Sequence, residues 1–190
     1  MAKTIVDISM SLDGFTAGSS ISNELPMGKD GEKLHEWLFS GKTDIDKKIL
    51  DELVETSGAV ILGRRTYDLG IGDPWGGISP FSVPAFVVSS GRPDNIVKGF
   101  SFINDGIESA LNQAKTIAGN KIVWIMGGAN LASQYIKAQL IDELHIHLVP
   151  LILGAGSRLF ESTGPSMIEL EKIKSIESTR ANHFVFRVIK

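Results

Sequence analysis

The sequence contains no cysteine among its 190 residues. This absence excludes disulfide bonds, thiolate nucleophiles and cysteine-ligated zinc, and it is compatible with a reducing compartment. No apolar run approaches the roughly 20 residues that a helix needs to cross a bilayer, and the first residues show no apolar signal segment. Lysine and arginine are scattered and the net charge is −3, so no basic footprint for nucleic acid is present. We therefore predict a cytoplasmic protein that binds neither a membrane nor nucleic acid.

Apolar runs that are typical of strands alternate with helical patterns along a single domain, residues 1–190. Strands are predicted at 4–10, 58–62, 84–89, 100–103, 121–126, 142–153, 168–177 and 182–189. Helices are predicted at 31–40, 44–57, 64–69, 105–118 and 129–139. The alternation favours an α/β fold with a largely parallel sheet and helices on both faces. The last two strands have no helix between them, which predicts an antiparallel edge.

Three further features refine these predictions. Asp44 is a candidate N-cap, and Asp105 with Glu108 resembles a capping box. Two long segments, 11–30 and 70–83, are rich in glycine, serine and proline, and loops of that length in a compact domain are often functional.

His145 and His147 are two residues apart in a predicted strand, so both point to one face. Two imidazoles on one face can share a metal ion, but the sequence offers no third ligand. We interpret them as an exposed or packed pair, and we predict no metal site.

Glycine stands at two junctions where a predicted strand meets a helix, AVILGRRTYDLG (59–70) and VWIMGGANLAS (123–133). Helix N-termini present unpaired N–H groups and a partial positive charge, and glycine lets a phosphate lie against the backbone. A third strand end, FVVSSGRP (86–93), offers hydroxyl groups and an arginine. Each junction alone reads as an ordinary turn, but three at the carboxyl ends of one parallel sheet predict a dinucleotide site.

Two loops offer candidate contacts to a bound molecule. DISMSLDGFTAG (7–18) is either a mobile flap over a nicotinamide or a plain loop. Within it, Asp13 is a weak candidate for substrate binding, and beside Gly14 it is equally a turn residue. Trp75, in GDPWGG, either lines a planar substrate or anchors its loop on the core. No residue is identified as catalytic.

Four stretches carry a resemblance to a known family: SMSLDGFTAG, GAVILGRRTYD, VPAFVVSSGRP and IMGGANLASQYIKAQLIDELHIHLVPLILGAGSRLF. Together they resemble the dihydrofolate reductase-like superfamily, and within it the branch related to the reductase domain of the riboflavin-pathway deaminase-reductase. The resemblance covers nearly the whole chain in order and is most specific over 127–160. It implies a three-layer α/β fold with a central, mainly parallel eight-stranded sheet, and NADP(H) as cofactor.

The resemblance also implies which residues meet the cofactor. It places Arg64 and the serines of the third strand end at the adenosine 2′-phosphate, and Thr66 and the paired glycines at the pyrophosphate. The flap residues approach the nicotinamide. The implied set is Thr16, Ala17, Gly63, Arg64, Arg65, Thr66, Ser89, Ser90, Gly127, Gly128, Ala129, Asn130 and Leu131. Arg92, a donor at the third strand end, completes the predicted cofactor-binding residues.

One departure from the family pattern concerns the substrate. When Trp37 is aligned with the helix tryptophan of dihydrofolate reductases, Leu34 stands where those enzymes place a buried carboxylate. Glu36 and Asp44 lie nearby, but helical geometry brings neither to the same position. This departure argues against folate reduction.

The resemblance implies an NADPH-dependent reductase of a small heterocyclic or carbonyl-like substrate. Three alternatives stay open: a riboflavin-pathway pyrimidine reductase acting on 5-amino-6-(5-phosphoribosylamino)uracil, a dihydrofolate reductase-like protein with weak folate activity, and a non-catalytic NADP(H)-binding protein. For the pyrimidine reductase, Arg158 and Lys29 are candidates for the substrate phosphate. The family also suggests a homodimer, with strand 144–153 either at its interface or buried at the centre of the sheet.

Overall fold

The computed structural model describes residues 2–91, 93, 96–161 and 167–190. Its strands are β1 (Thr4–Ser11), β2 (Phe15–Ala17), β3 (Ser57–Gly63), β4 (Ala85–Val88), β5 (Phe100–Ile103), β6 (Ile122–Gly127), β7 (Glu143–Val149), β8 (Ser157–Arg158), β9 (Leu170–Glu177) and β10 (Asn182–Val188). Its helices are α1 (Asp44–Thr56), α2 (Arg64–Gly70), α3 (Ile107–Ala118) and α4 (Ala129–Lys137), together with a 3₁₀-helix at Gly31–His35.

Eight strands of the described chain form one sheet in the order β5-β4-β3-β6-β1-β7-β10-β9. The pairs from β5 to β7 are parallel, and β10 is antiparallel to both β7 and β9. The predicted mainly parallel eight-stranded sheet with an antiparallel C-terminal edge is therefore confirmed. β2 and β8 pair separately as a two-stranded antiparallel sheet.

The two faces of the sheet bury different sets of side chains, because successive residues of a strand point to opposite sides. Ile61 of β3 and Ile125 of β6 face a large apolar cluster that includes residues of α3 and α4. Val60 and Leu62 face a second cluster, in which Tyr67 of α2 packs among aromatic rings. Each fully buried aliphatic side chain contributes about 1.5–3 kcal/mol, so these layers hold the parallel strands in register.

Two predicted helix caps were wrong, although α1 begins at Asp44 as predicted. α1 is capped by Thr43, not by Asp44: the Thr43 hydroxyl accepts from the backbone N–H of Asp46, and the Asp46 carboxylate accepts from the N–H of Thr43. This reciprocal capping box satisfies two N–H groups that a cap at Asp44 would leave unpaired. α3 begins after Gly106, which makes no side-chain cap, so the predicted Asp105–Glu108 box does not form.

Two predicted elements are shorter than expected. Only Gly31–His35 of the predicted helix 31–40 is regular, and it is a 3₁₀-helix followed by turns. Leu34 and Trp37 of this segment are enclosed with Val149, and this packing, rather than helical propensity, sets the local path. The predicted strand 142–153 ends at Val149, because Pro150 follows and lacks a backbone N–H.

β7 lies between β1 and β10 and is largely buried, which agrees with the central position considered for this strand. Among the described residues, no helix has the length and apolar character to cross a membrane.

Candidate functional site

The two glycine turns predicted from the sequence meet in the structure. β3 and β6 are neighbours, and their carboxyl ends lead into α2 at Gly63 and into α4 at Gly128. The backbone N–H of Gly128 donates to the Thr66 hydroxyl at 3.0 Å. A side chain built at Gly63 would begin 3.9 Å from the Gly127 carbonyl oxygen. Sequence positions more than 60 residues apart therefore form one backbone cradle.

The second turn requires glycine for its backbone geometry. Gly127 has φ of +110°, a region that side-chain-bearing residues rarely adopt, and the peptide bond between Gly127 and Gly128 is cis. Behind the turn, Ala129 and Leu131 are buried at the start of α4. Asn130 is exposed and accepts a hydrogen bond from Gln134 at 2.8 Å, so its side chain faces away from the core.

The two arginines of the first turn extend in different directions. Arg64 makes two 2.8 Å bonds from Nε to Asp68, and its Nη1 donates to the Gly91 carbonyl oxygen at 3.2 Å. Arg65 instead reaches the Ile21 carbonyl oxygen with Nη2, at 3.5 Å. Arg64 thus lies against the end of β4, whereas Arg65 lies against the loop that follows β2.

The end of β4 supplies the third predicted group. The Ser89 hydroxyl donates to the Gly91 carbonyl oxygen at 2.6 Å and accepts from the Gly91 N–H, so it shapes the turn that Arg64 contacts. Ser90 is exposed beside it. Arg92, which the sequence also assigned to this site, lies outside the described residues.

The predicted flap contains a short strand. Thr16 and Ala17 belong to β2, which pairs with β8, and the Thr16 hydroxyl donates to the Ser157 carbonyl oxygen at 3.3 Å. The two backbones approach so closely that a Cβ at Gly156 would lie 2.0 Å from the Ala17 carbonyl oxygen. The segment 7–18 is therefore held by residues 141 positions further along the chain rather than forming an irregular loop.

Asp13 holds this flap in place. Its carboxylate accepts from the Ser11 hydroxyl at 2.6 Å and from the backbone N–H groups of Leu153 and Gly154. The Ser11 bond, followed by the backbone bonds, lowers the pKa of Asp13 to about 2. Arg158 stacks on the Phe15 ring, 4.2 Å from its centroid, and donates to the Asp13 carbonyl oxygen.

Trp75 packs in the aromatic cluster under its loop. Its ring stacks on Phe100 with 6.1 Å between centroids and meets Phe81 edge to face at 5.8 Å. This contact corresponds to the second of the two roles considered, that of an anchor on the core.

A chain of buried polar groups, which sequence reasoning did not identify as a site, crosses the face of the sheet under Trp37. We call it the histidine relay and define it as Asp46, His183, His147 and Asp7. Asp46 Oδ1 lies 2.9 Å from His183 Nε2, the two Nδ1 atoms lie 2.8 Å apart, and His147 Nε2 lies 3.0 Å from Asp7 Oδ1. All four residues are at most 9 % exposed.

The only sequence signal for the relay was the spacing of the histidines in ELHIHLV. Their common face was predicted correctly, and His147 is a packed residue, as one of the two interpretations had it. His145 is partly exposed and lies 3.4 Å from Asp7. In the described part of the chain, no cluster of histidine, aspartate and glutamate has the arrangement of a metal site.

His35, a histidine near the relay, allows a test of how burial of an imidazole makes stability depend on pH. Burial lowers the pKa of His35 to about 4, from an ordinary value of 6.5. Between these values the unfolded chain binds more protons than the folded one, so stability falls as the pH falls from 6.5 to 4. The pKa difference corresponds to at most about 3 kcal/mol. Urea unfolding at several pH values should show that His35→Gln loses less of its free energy of unfolding than the parent protein does as the pH falls from 6.5 to 4.

His145→Gln provides a control of opposite sign. Burial alone would lower the pKa of His145, but Asp7 and Glu143 outweigh it and raise the pKa. The stabilisation from His145 is therefore present below pH 6.5 and is lost as the pH rises through its folded pKa. If both variants lost stability in parallel at every pH, the assigned pKa directions would be incorrect.

The sheet order, the glycine turns and the flap together define an α/β domain of the dihydrofolate reductase type. The chain belongs to the RibD C-terminal domain family, whose model matches residues 2–183.

Three proteins illustrate what this chain is similar to in sequence or in structure. YwjB, an uncharacterised protein of Bacillus subtilis (strain 168), is 32 % identical over 188 residues, which cover 96 % of this chain and 97 % of YwjB. A provisionally named riboflavin biosynthesis protein from Shewanella sp. PV-4 superposes with a TM-score of 0.77 at 24 % identity, covering both chains completely. Dihydrofolate reductase from Enterococcus faecalis, in a complex with NADP(H), has a TM-score of 0.65 at 16 % identity, covering 99 % and 97 % of the chains.

Proposed function

We propose that this protein is an NADPH-dependent reductase of a small heterocyclic or carbonyl-like substrate. The observation that carries the proposal is the backbone cradle, in which Gly63 and Gly128 open two adjacent helices and Thr66 joins them. The family and the fold support the proposal. The chain belongs to the RibD C-terminal domain family, and the dihydrofolate reductase with a similar fold is in a complex with NADP(H).

The residues present suit such a cofactor. Among the described residues other than its chain neighbours, no atom would lie nearer than 3.8 Å to a Cβ built at Gly63, so the cradle has room for a phosphate oxygen beside the backbone. The first N–H groups of α4 lack intrahelical partners and carry partial positive charge. Arg64, beside Ser89 and Gly91, supplies a planar guanidinium of the kind that binds a second phosphate.

When bound, the cofactor supplies a hydride from its dihydronicotinamide ring. The chain's own role is to hold the phosphates with Thr66 and the turn backbone, and to exclude water with β2. Leu34 is fully buried on the 3₁₀ segment. It stands where the resemblance to dihydrofolate reductases would place a buried carboxylate, and this disfavours folates. Arg158 is already engaged with Phe15 and Asp13, so it gives little support to a ribose phosphate in the substrate.

Replacing Arg64 by alanine tests the proposed 2′-phosphate contact. We expect Arg64→Ala to weaken NADPH binding about ten- to a hundredfold, because a charged hydrogen bond worth roughly 1.5–3 kcal/mol is lost. NADH lacks the 2′-phosphate, so its affinity should change little. Titrations of nicotinamide fluorescence with each cofactor measure both effects.

Arg187→Ala is a matched control, because Arg187 is likewise an arginine paired with a carboxylate, at 2.7 Å from Glu171, but it lies in β10, next to the edge strand β9 and far from β3 and β4 in the sheet order. It should bind both cofactors as the parent protein does. Equal losses of NADPH and NADH in Arg64→Ala would assign Arg64 to shaping the turn. If the parent protein binds NADPH but oxidises it with none of biopterin, 5-aminouracil and 4-nitrobenzaldehyde, a non-catalytic NADP(H)-binding protein is the better description.

A further inference from the structure

The histidine relay joins four elements of the fold through three consecutive short contacts. Asp46 lies in the first turn of α1, His183 in β10, His147 in β7 and Asp7 in β1. His147 and His183 are each 3 % exposed and Asp46 is 0 % exposed, so solvent does not separate the groups. A buried polar chain of this kind is stable only if each contact is a hydrogen bond.

The three contacts of the relay require one more proton than two neutral histidines supply. Three contacts need three protons, one each, and an ionised carboxylate brings none. Two neutral imidazoles bring two protons, which the outer contacts to Asp46 and Asp7 require. The 2.8 Å contact between the two Nδ1 atoms therefore needs a third proton, so the pair of rings carries one positive charge.

The surroundings keep the outer carboxylates ionised. Burial alone would raise the pKa of Asp7, but His147 and His145 outweigh it and hold the pKa well below its usual range. Burial alone would also raise the pKa of Asp46. The hydrogen bonds from Thr43, Ser178 and His183 outweigh burial, so the pKa of Asp46 is lowered as well.

The remaining neighbours limit the rings to a single charge. Burial and the charge on His147 lower the pKa of His183, although Asp46 and Asp7 oppose them. Beyond Asp7, His145 lies between Asp7 and Glu143, and Glu143 is paired with Lys3 at 2.6 Å. His35 lies on the other side, where the charge on His147 helps to lower its pKa. A second proton on the two rings is thus disfavoured, whereas the first has two anionic partners.

The relay reaches a strand that lies beside the proposed reducing site. Asp7 directly follows Val6, which pairs with Ile125 of β6, and β6 ends at the Gly127 turn. Ser9 pairs with His147, and its hydroxyl accepts from the Trp37 indole N–H at 3.0 Å. The Trp37 ring covers both imidazoles, with centroids 4.4 Å and 4.9 Å away. The relay therefore runs from α1 to the strand that continues into the flap.

We propose that the histidine relay stores the proton that the reduction consumes. The inference rests on the proposed reductase function. It assigns the role of proton donor to the relay, Asp46, His183, His147 and Asp7.

The chemistry balances with the dihydronicotinamide cofactor as reductant. Hydride transfer would break a C–H bond of the dihydronicotinamide, which would be oxidised to nicotinamide, and would form a C–H bond at the substrate carbon of a C=O or C=N group. The π-electron pair of that group would move to its oxygen or nitrogen. That atom takes a proton, while an imidazole N–H bond of the relay breaks and its electron pair stays on nitrogen. Solvent then returns the proton to the relay.

Nitrogen-15 NMR of the imidazole rings tests the stored proton directly, in the unmodified protein. Near neutral pH we expect three ring N–H protons in total on His147 and His183, and one of them should bridge the two Nδ1 atoms with a strong downfield shift. Two ring protons in total would overturn the proposal, whatever the activity. His145→Asn is the assignment control, because it removes a neighbouring histidine outside the relay.

Kinetics test whether the stored proton is used. For the acceptor that the parent protein reduces, we expect His183→Asn to slow single-turnover NADPH oxidation about a hundredfold or more, increasingly so as the pH rises, with unchanged NADPH affinity. An unaltered rate and pH profile would contradict the proposal. Failure of the parent protein to bind NADPH or to reduce any acceptor would instead refute the reductase function on which it rests. Circular dichroism confirms that the variant is folded, and the NMR count stands even if it is not.

Discussion

Asp46→Ala should cost about 3–5 kcal/mol of the free energy of unfolding. The Asp46 carboxylate is fully buried, accepts from both the N–H and the hydroxyl of Thr43, and faces His183 at 2.9 Å. Its removal opens the capping box of α1 and leaves a positively charged ring pair with only one of its two carboxylates. Removing one partner of a buried charged pair is costly because the other charge remains buried and uncompensated. Urea unfolding of the parent protein and the variant measures the loss.

Asp44→Ala is the matched control, because Asp44 is an exposed aspartate in the same helical turn. It should cost less than about 1 kcal/mol, the size of a helix-dipole effect. Asp46→Asn should fall between the two, since the amide oxygen still caps the helix but carries no charge. Losses of similar size in Asp44→Ala and Asp46→Ala would contradict the assigned role of the buried carboxylate.

Gly156→Ala should separate the flap from its support and reduce stability by about 2–4 kcal/mol. Gly156 has φ of +144°, which L-residues with a side chain rarely adopt, and an added Cβ would lie 2.0 Å from the Ala17 carbonyl oxygen. Backbone strain and overpacking each cost about 1–3 kcal/mol. Because Ala17 and Thr16 are the proposed nicotinamide contacts, NADPH affinity should fall as well. Chemical denaturation and fluorescence titration of the same sample report both losses.

Gly72→Ala serves as the comparison, because no atom of the described residues outside its chain neighbours would lie within 4 Å of a Cβ at Gly72, and its φ is not positive. It should leave both stability and NADPH affinity within experimental error of the parent protein. A Gly156→Ala variant that loses stability but binds NADPH normally would separate the flap from the cofactor site.

Local patterns were enough to predict the mainly parallel sheet and the two glycine turns at the ends of its strands. The strands alternate with helices over short distances, and the pattern of β3 and of β6 is readable within each segment. Glycine at the strand ends follows from the backbone geometry of the turns themselves, as the φ of Gly127 illustrates. The meeting of Thr66 with Gly128 then follows once β3 and β6 are neighbours.

The histidine relay could not be predicted in the same way, because its contacts join residues 36 to 140 positions apart. His183 lies in β10, whose pairing with β9 shifts in register between Val185 and Phe186. The alternation of inward and outward side chains is therefore irregular in this strand. The prediction of Asp44 as the cap was wrong for a different reason. Both Thr and Asp are good caps, and the reciprocal bonds between Thr43 and Asp46, three residues apart, form a local capping box that favours Thr43.

The central position of β1 has a consequence for the order in which the protein assembles during synthesis. β1 (Thr4–Ser11) leaves the ribosome first, yet its two neighbours in the sheet are β6 (Ile122–Gly127) and β7 (Glu143–Val149). Until β6 has been synthesised, its apolar residues therefore have no native strand partner, and contacts between distant segments form slowly. The cradle, the flap and the relay all depend on β1 or its neighbours, so they cannot all form before β6 and β7 have been synthesised.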